Sequence, residues 1–528
     1  WVLAALNPDA GVDAYLYHLR LPFMYGLRHR VFSVWHQDHA HVPQLWEMLY
    51  AVFPRGLAAS GAQFLSAFAA LAAFRTAASL AGTSWPMWAA LLLVFTSPLV
   101  LGVGTLAHTD LPMVWLGLAS FRLASRGRPA VRWFGGGLIA GLACSVKYAA
   151  FPVLAAFGCT AAAAAWRRRR IVPLLAAGGG CLAVFWPWLA WNALATGNPL
   201  HPFFWRWTPW ALAPPEYARR VSEAVFRRSW AEVLRSGWNA YVRSSPALFL
   251  SPALGAAAPC VVLPGGRGGL PRGTGWWLAG GTAAWAVFLA DERFALPLIP
   301  VLALCVAARL VSRTPRGSAW LALLLVVNAC GAFRQTFLPT TRLWTALGLA
   351  SRDAWWRSSL GPAPGYWDAA AWLNARSAPA DRVLIVSDYK SHGFARECIH
   401  EHVVDFPARL ITILRSAPPD AGRIAARFRQ LGVRWMVYLP ARAAERLASL
   451  PEFYAFDPPR ARAYASFWGR LGRRRAVFPG AAVYEINRGT EAGETGPDLP
   501  GVQEMIFSAV RQAYERGGVA EARAEHAR

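Results

Sequence analysis

Lysine is almost missing from this chain. Of its 54 basic residues only Lys147 and Lys390 are lysines, and the rest are arginines. Acids are few as well: 29 Asp and Glu leave a formal net charge of +25. The seven cysteines show no CxxC or paired spacing, which supports neither a disulfide framework nor a zinc site. Six of them lie inside apolar blocks and read as small hydrophobes; only Cys398 stands outside. No GxGxxG follows a predicted strand, so no nucleotide site is indicated. No internal repeat is visible.

Apolar residues, by contrast, make up 55% of the chain, and 27 residues are tryptophan. Soluble domains are less apolar. Ten blocks run roughly over 57–80, 86–104, 110–124, 133–147, 149–166, 173–195, 246–263, 275–290, 294–311 and 317–337. Their lengths are those of membrane spans. The opening WVLAALN reads as the tail of a further, truncated span. The fold expected is therefore a polytopic α-helical membrane protein of about 10–11 spans over 1–337, lying in the lipid bilayer. Small residues crowd 135–145 and 176–181, as where helices meet closely in lipid.

The positive charge fits this class without nucleic acid. Arg122, Arg126, Arg128 and Arg132 follow the third block, and Arg167 to Arg170 follow the fifth. Alternate loops continue with Arg267 and Arg272, then Arg309, Arg313 and Arg316. By the positive-inside rule these loops are cytoplasmic. The loop 196–245 runs against that pattern with seven arginines, but long loops obey the rule poorly. The opening segment and 338–528 then lie on the other side.

From Leu338 the texture becomes that of a small α/β domain. Strands are expected at 382–388, 433–439 and 481–486, and helices at 366–376, 420–431 and 499–516. A disordered tail is expected from Gly517.

The segment Asp9 to Tyr50 is too polar to span and too aromatic to be a free loop. It carries Asp13, Asp38, Glu47 and five histidines, among them His18, His39 and His41. His39 and His41 read as a structural surface pair rather than as metal ligands. Further ionisable residues stand at the outer span ends: His108 and Asp110 in HTD, Lys147 before Tyr148, and Arg293. Charges at membrane depth are costly and point to function, although each alone reads equally well as an interfacial side chain. A lone lysine in an arginine-rich chain suits a point contact to phosphate. One carboxylate base with two cations fits attack on a sugar joined to a phosphate, because phosphate leaves without needing a proton.

The order DAYLYHLRLPFMY, WEMLY, TSPLVLGVGTLAHTDLPMVW, AGLACSVKYAAFPVL, ATGNPLHPFF and ERFALPLIPVLAL resembles the bacterial membrane glycosyltransferases of the GT-C fold. The subgroup is the one related to the rhizobial lipopolysaccharide-core transferases. It is linked more distantly to protein O-mannosyltransferases and the aminoarabinose transferase of lipid A. The resemblance covers about 1–311. It implies a polyprenyl-phosphate-linked sugar donor, inversion at the anomeric centre, and a glycan, lipid or protein acceptor. It implies Asp13 as the catalytic residue, with Asp110 at the second acidic position. Lys147 and Arg293 match donor-phosphate positions, and His18, Glu47, His108 and Tyr148 complete the substrate-binding set. It makes no cofactor certain. A divalent metal, Mg or Mn, would be the one that relatives suggest, but HTD lacks the second acid of a DxD-type site. The expected location is the bacterial inner (plasma) membrane, multi-pass, with the C-terminal domain extracytoplasmic. Two other classes stay open: a transporter or flippase of lipid-linked sugars, and a non-catalytic membrane protein with a ligand-binding outer domain.

Overall fold

The computed structural model describes residues mainly within 11–203, 273–309, 344–400, 417–439 and 472–486, with short gaps inside these ranges. The expected span 246–263, nearly all of the expected span 317–337, the loop from 204 to 245, the helix 499–516, the tail and Lys390 lie outside the described residues. The chain divides into two compact units, Trp1–Arg352 and Asp353–Arg528, so the boundary falls beyond the expected Phe337.

The first unit opens on a π-helical turn, Ala14–His18, closed by the Leu19 N–H donating to Ala14 O at 2.8 Å. All five of its residues are buried. Helix α1 (Arg20–Arg28) follows, then 3-10 turns at Asp38–His41 and Glu47–Val52. Thus the polar opening segment is folded into the unit rather than hung from it.

Helix α2 (Ala58–Ala81) matches the first expected block. The second block differs from expectation. It forms two helices, α3 (Trp85–Phe95) and α4 (Pro98–Gly104). Pro98 has no N–H to give, and Ser97 before it is extended, as the residue before a proline prefers. The Ser97 hydroxyl accepts from Val100 N at 3.3 Å and caps the new helix.

Helices α5 (Asp110–Ser125), α6 (Ala130–Val146), α7 (Phe151–Arg168) and α8 (Val172–Thr196) follow. After the undescribed stretch come α9 (Thr274–Phe288), a single helical turn Glu292–Ala295, and α10 (Ile299–Arg309). α6 packs most extensively on α8, α7 on α9, and α5 between α2 and α6. The α6–α8 contact is backbone against backbone. A Cβ at Gly137 or Gly141 would strike the carbonyls of Ala177 or Cys181, and one at Gly180 would strike Phe134 O. The two small-residue stretches therefore do meet, as close helix approach in lipid requires.

Among the described residues three helices are long and apolar enough to cross a membrane: Ala58–Ala81, Tyr148–Arg168 and Val172–Thr196. Ala130–Val146 is apolar but shorter. α8 turns Leu175, Leu182, Trp186 and Leu194 outward, and α2 turns Phe68 and Leu71 outward. Contiguous apolar faces of this kind are unusual on water-facing surfaces.

The second unit holds a five-stranded mixed sheet in the order β2-β1-β3-β5-β4. β1 (Arg382–Val386) pairs in parallel with β2 (Glu397–His400) and β3 (Val433–Tyr438). β4 (Gly472–Phe478) and β5 (Ala481–Ile486) form an antiparallel hairpin, with β5 against β3. Its core sets Tyr366, Ala370 and Leu373 of α11 (Tyr366–Arg376) against Val383, Ile385, Val437 and Val483. Helix α12 (Ala421–Gln430) buries Ile424, Ala425 and Phe428, and Asp420 caps it by accepting from Arg423 N at 2.9 Å. Cys398 is fully buried in β2. The expected strands and the two described helices are all present; β2 and β4 are additional.

Candidate active site

Three helix ends and the opening segment carry the ionisable residues singled out above. The turn His108–Thr109, ahead of α5, is fixed from behind. Ser66 Oγ donates to His108 O at 3.0 Å and Tyr50 Oη to the same oxygen at 3.3 Å. Gln63 Nε2 donates to Thr105 O at 2.8 Å. Asp110 then starts α5, where the free N–H groups of a helix favour a negative charge. Lys147 breaks the chain between α6 and α7 in an extended conformation, and Leu45 N donates to Ser145 O at 2.9 Å just before it. Arg293 comes from the helical turn ahead of α10.

These elements bring together residues far apart in sequence. Arg293 Nη1 donates to Asp13 Oδ2 at 3.0 Å, and its Nε lies 3.4 Å from Asp110 Oδ1. His108 Nδ1 lies 3.6 Å from Asp110 Oδ2. The Lys147 ammonium donates to Tyr17 Oη at 3.1 Å and sits 5.3 Å from the Phe294 ring centre. Among the described residues no carboxylate comes within 4.0 Å of Lys147. The Asp13 side chain is 28% exposed, whereas that of Asp110 is 0% exposed. An acceptor could reach the first carboxylate and not the second. Burial pushes the Asp13 carboxyl up, but the charges of Lys147 and Arg293 outweigh this and hold it below its usual range. It is an anion at neutral pH.

A second layer lies behind. His18 Nδ1 and Glu47 Oε1 are 2.8 Å apart, and both side chains are buried. Burial pushes the Glu47 carboxyl up to about 8 and the His18 imidazole down, so the pair shares one proton and no net charge. The His18 and His108 ring centres are 5.4 Å apart. Tyr17 stacks on His39 with ring centres 4.1 Å apart, which fixes the ring whose hydroxyl meets Lys147.

Not every predicted site residue joins the cluster. Tyr148 turns away: its hydroxyl accepts from Asn192 Nδ2 at 2.8 Å, and its ring packs against Phe151, Phe185 and Phe203. The 3-10 turn at 148–150 rotates it off the face that Lys147 uses. Tyr17, one turn on from Asp13, turns its hydroxyl to Lys147. His39 contributes as a stacking partner and His41 as a partner of the Ser33 hydroxyl at 2.8 Å. Phe294 and Asn192 escape sequence reading, because neither carries charge.

The Arg293 guanidinium fills the space between Asp13 and Asp110. Among the described residues no group of three His, Cys, Asp or Glu side chains is arranged to hold a metal ion.

The helical unit has the GT-C fold of membrane glycosyltransferases. Among solved structures the chain is similar to ArnT from Cupriavidus metallidurans bound to undecaprenyl phosphate: 12% identity, 94% of this chain and 97% of that chain covered, TM-score 0.52. The same protein in the apo state is 14% identical over the same shares, with a TM-score of 0.48. An oligosaccharyltransferase from Archaeoglobus fulgidus tethered with an acceptor peptide is 14% identical, with 96% of this chain and 76% of that chain covered and a TM-score of 0.46. At such identity the likeness is one of fold. No family model matches the chain, and no curated protein does.

Proposed function

We propose that this chain is an integral-membrane inverting glycosyltransferase. It moves a sugar from a polyprenyl-phosphate donor to a hydroxyl on a cell-envelope glycan, lipid or protein, on the extracytoplasmic face of the bacterial inner membrane. The observation that carries this reading is one solvent-reachable carboxylate, Asp13, flanked by Arg293 and by a lysine with no carboxylate of its own. The ArnT structure was bound to undecaprenyl phosphate, which supports a polyprenyl phosphate as the sugar carrier.

The chemistry then follows. The acceptor oxygen attacks the anomeric carbon as its proton passes to Asp13. The bond from that carbon to the phosphate oxygen breaks, and the polyprenyl phosphate leaves with the electron pair. Lys147 and Arg293 stabilise the charge that develops on it. Binding the phosphate draws both cations away from Asp13, which raises the proton affinity of the carboxylate when it is needed. Asp110, enclosed, is a positioning residue that acts through Arg293. His18, Glu47 and His108 support the layer from behind.

The test is to incubate purified protein with polyprenyl-phosphate sugars and, separately, nucleotide sugars. Consumption of a polyprenyl-phosphate sugar is expected. Consumption of nucleotide sugars alone, or of neither, would sink the reading.

A further inference from the structure

A cavity opens at the other end of the same helices. Its volume is about 610 Å³, and it is walled by the C-terminal ends of α5 and α7 and the N-terminal ends of α6 and α9. It is lined by Arg126, Arg132, Arg167 and Arg168, with Trp133 and Trp276, and among the described residues no carboxylate lines it. α5 has 16 residues, so this cavity stands roughly 24 Å from Asp110 at a rise of ~1.5 Å per residue. It is not part of the carboxylate cluster.

We propose that this cavity binds the phosphate headgroup of an anionic membrane lipid. Four guanidinium groups from three segments converge where loop arginines alone would spread into solvent. Arginine matches phosphate oxygens with paired donors. Trp133 adds a second sign of a ligand: it is 2% exposed, and its indole Nε1 has no partner among the described residues. A buried indole N–H usually has an acceptor. The rim favours a lipid over free phosphate. Val131, Trp166 and Trp276 stand exposed around it, on the outer faces of apolar helices where acyl chains would lie. Tryptophan collects at that depth of a bilayer, and basic pockets between spans hold anionic headgroups.

The experiment measures thermal unfolding of the full chain in neutral detergent with added short-chain phosphatidylglycerol, phosphatidylcholine or inorganic phosphate. Phosphatidylglycerol should raise the midpoint, while the other two at equal concentration should not. Arg132→Gln with Arg167→Gln should weaken the apparent affinity about thirtyfold, in line with ~1 kcal/mol for each of the two basic residues at an anionic surface. Arg169→Gln with Arg170→Gln removes the same charge outside the cavity and should leave the affinity unchanged. Trp133→Phe should weaken binding several-fold without moving the lipid-free midpoint. Equal loss in both arginine pairs, equal stabilisation by inorganic phosphate, or no response to phosphatidylglycerol would each overturn the proposal.

Discussion

Arg293 and Asp13 are 280 positions apart in sequence, yet their side chains meet at 3.0 Å. The same guanidinium approaches Asp110, whose side chain is fully enclosed. A buried carboxylate stripped of its cation is costly, roughly 3–5 kcal/mol. Arg293→Ala should therefore lower the unfolding midpoint strongly. Adding Asp110→Asn should restore most of the loss without restoring turnover, because the stranded charge is gone but the phosphate contact is still missing. An Arg293→Ala protein as stable as wild type would mean that this ion pair does not tie the opening segment to α5.

Asp13→Asn keeps the shape and removes the proton acceptor. Turnover should fall by the ~10²–10⁴-fold typical of a lost general base. Donor affinity should hold, since the cations remain. Turnover at near-wild-type rate would shift the base to another carboxylate or remove the enzymatic reading.

Lys147 separates charge from geometry. Lys147→Ala should weaken donor binding strongly, and Lys147→Arg should recover only part of it. The compact ammonium sits between the Tyr17 hydroxyl and the Phe294 ring, where a planar fork fits poorly. Donor titration on both variants is the measurement. Wild-type affinity in both would remove Lys147 from the phosphate site.

The helices and the strands at 382, 433 and 481 are legible because hydropathy has the period and length of the element that forms. The site residues stand out because ionisable groups at span ends are few. What stays hidden is pairing. Nothing local says that Arg293 will choose Asp13 and Asp110, that Glu47 will choose His18, or that Tyr148 will turn toward Asn192. The break at Pro98 is masked when hydropathy is averaged across 86–104. Strand β4 opens with Arg473 to Arg475, and an edge strand can carry charge that a central one cannot. Strand β2 has only four residues, too few for a period to emerge.

Sidedness rests on the arginine loops. A cysteine placed at exposed Arg423 should react with an impermeant maleimide in intact cells, and one at Arg167 should react only after the membrane is opened. Native Cys398 is unsuited to this test because β2 buries it completely. The reverse labelling pattern would invert the orientation and move the proposed site to the cytoplasm.

Glu47 gives the pH prediction. Burial raises its carboxyl from the usual 4.5 to about 8, so the folded chain holds a proton that the unfolded chain gives up at lower pH. Stability from this group is complete below about 4.5 and is lost as pH rises toward about 8. His18 works in the opposite sense. Its depressed value means that stability is lost on the acid side, as the unfolded imidazole takes up its proton. Glu47→Gln makes the neutral side chain permanent and can still hydrogen-bond to His18. It should flatten the decline of the unfolding midpoint between pH 5 and 8 (about the window set by Glu47) and leave the acid-side decline in place. A variant that loses stability toward pH 8 as steeply as wild type would place the titrating group elsewhere. It would also leave the His18–Glu47 contact as an ordinary ion pair.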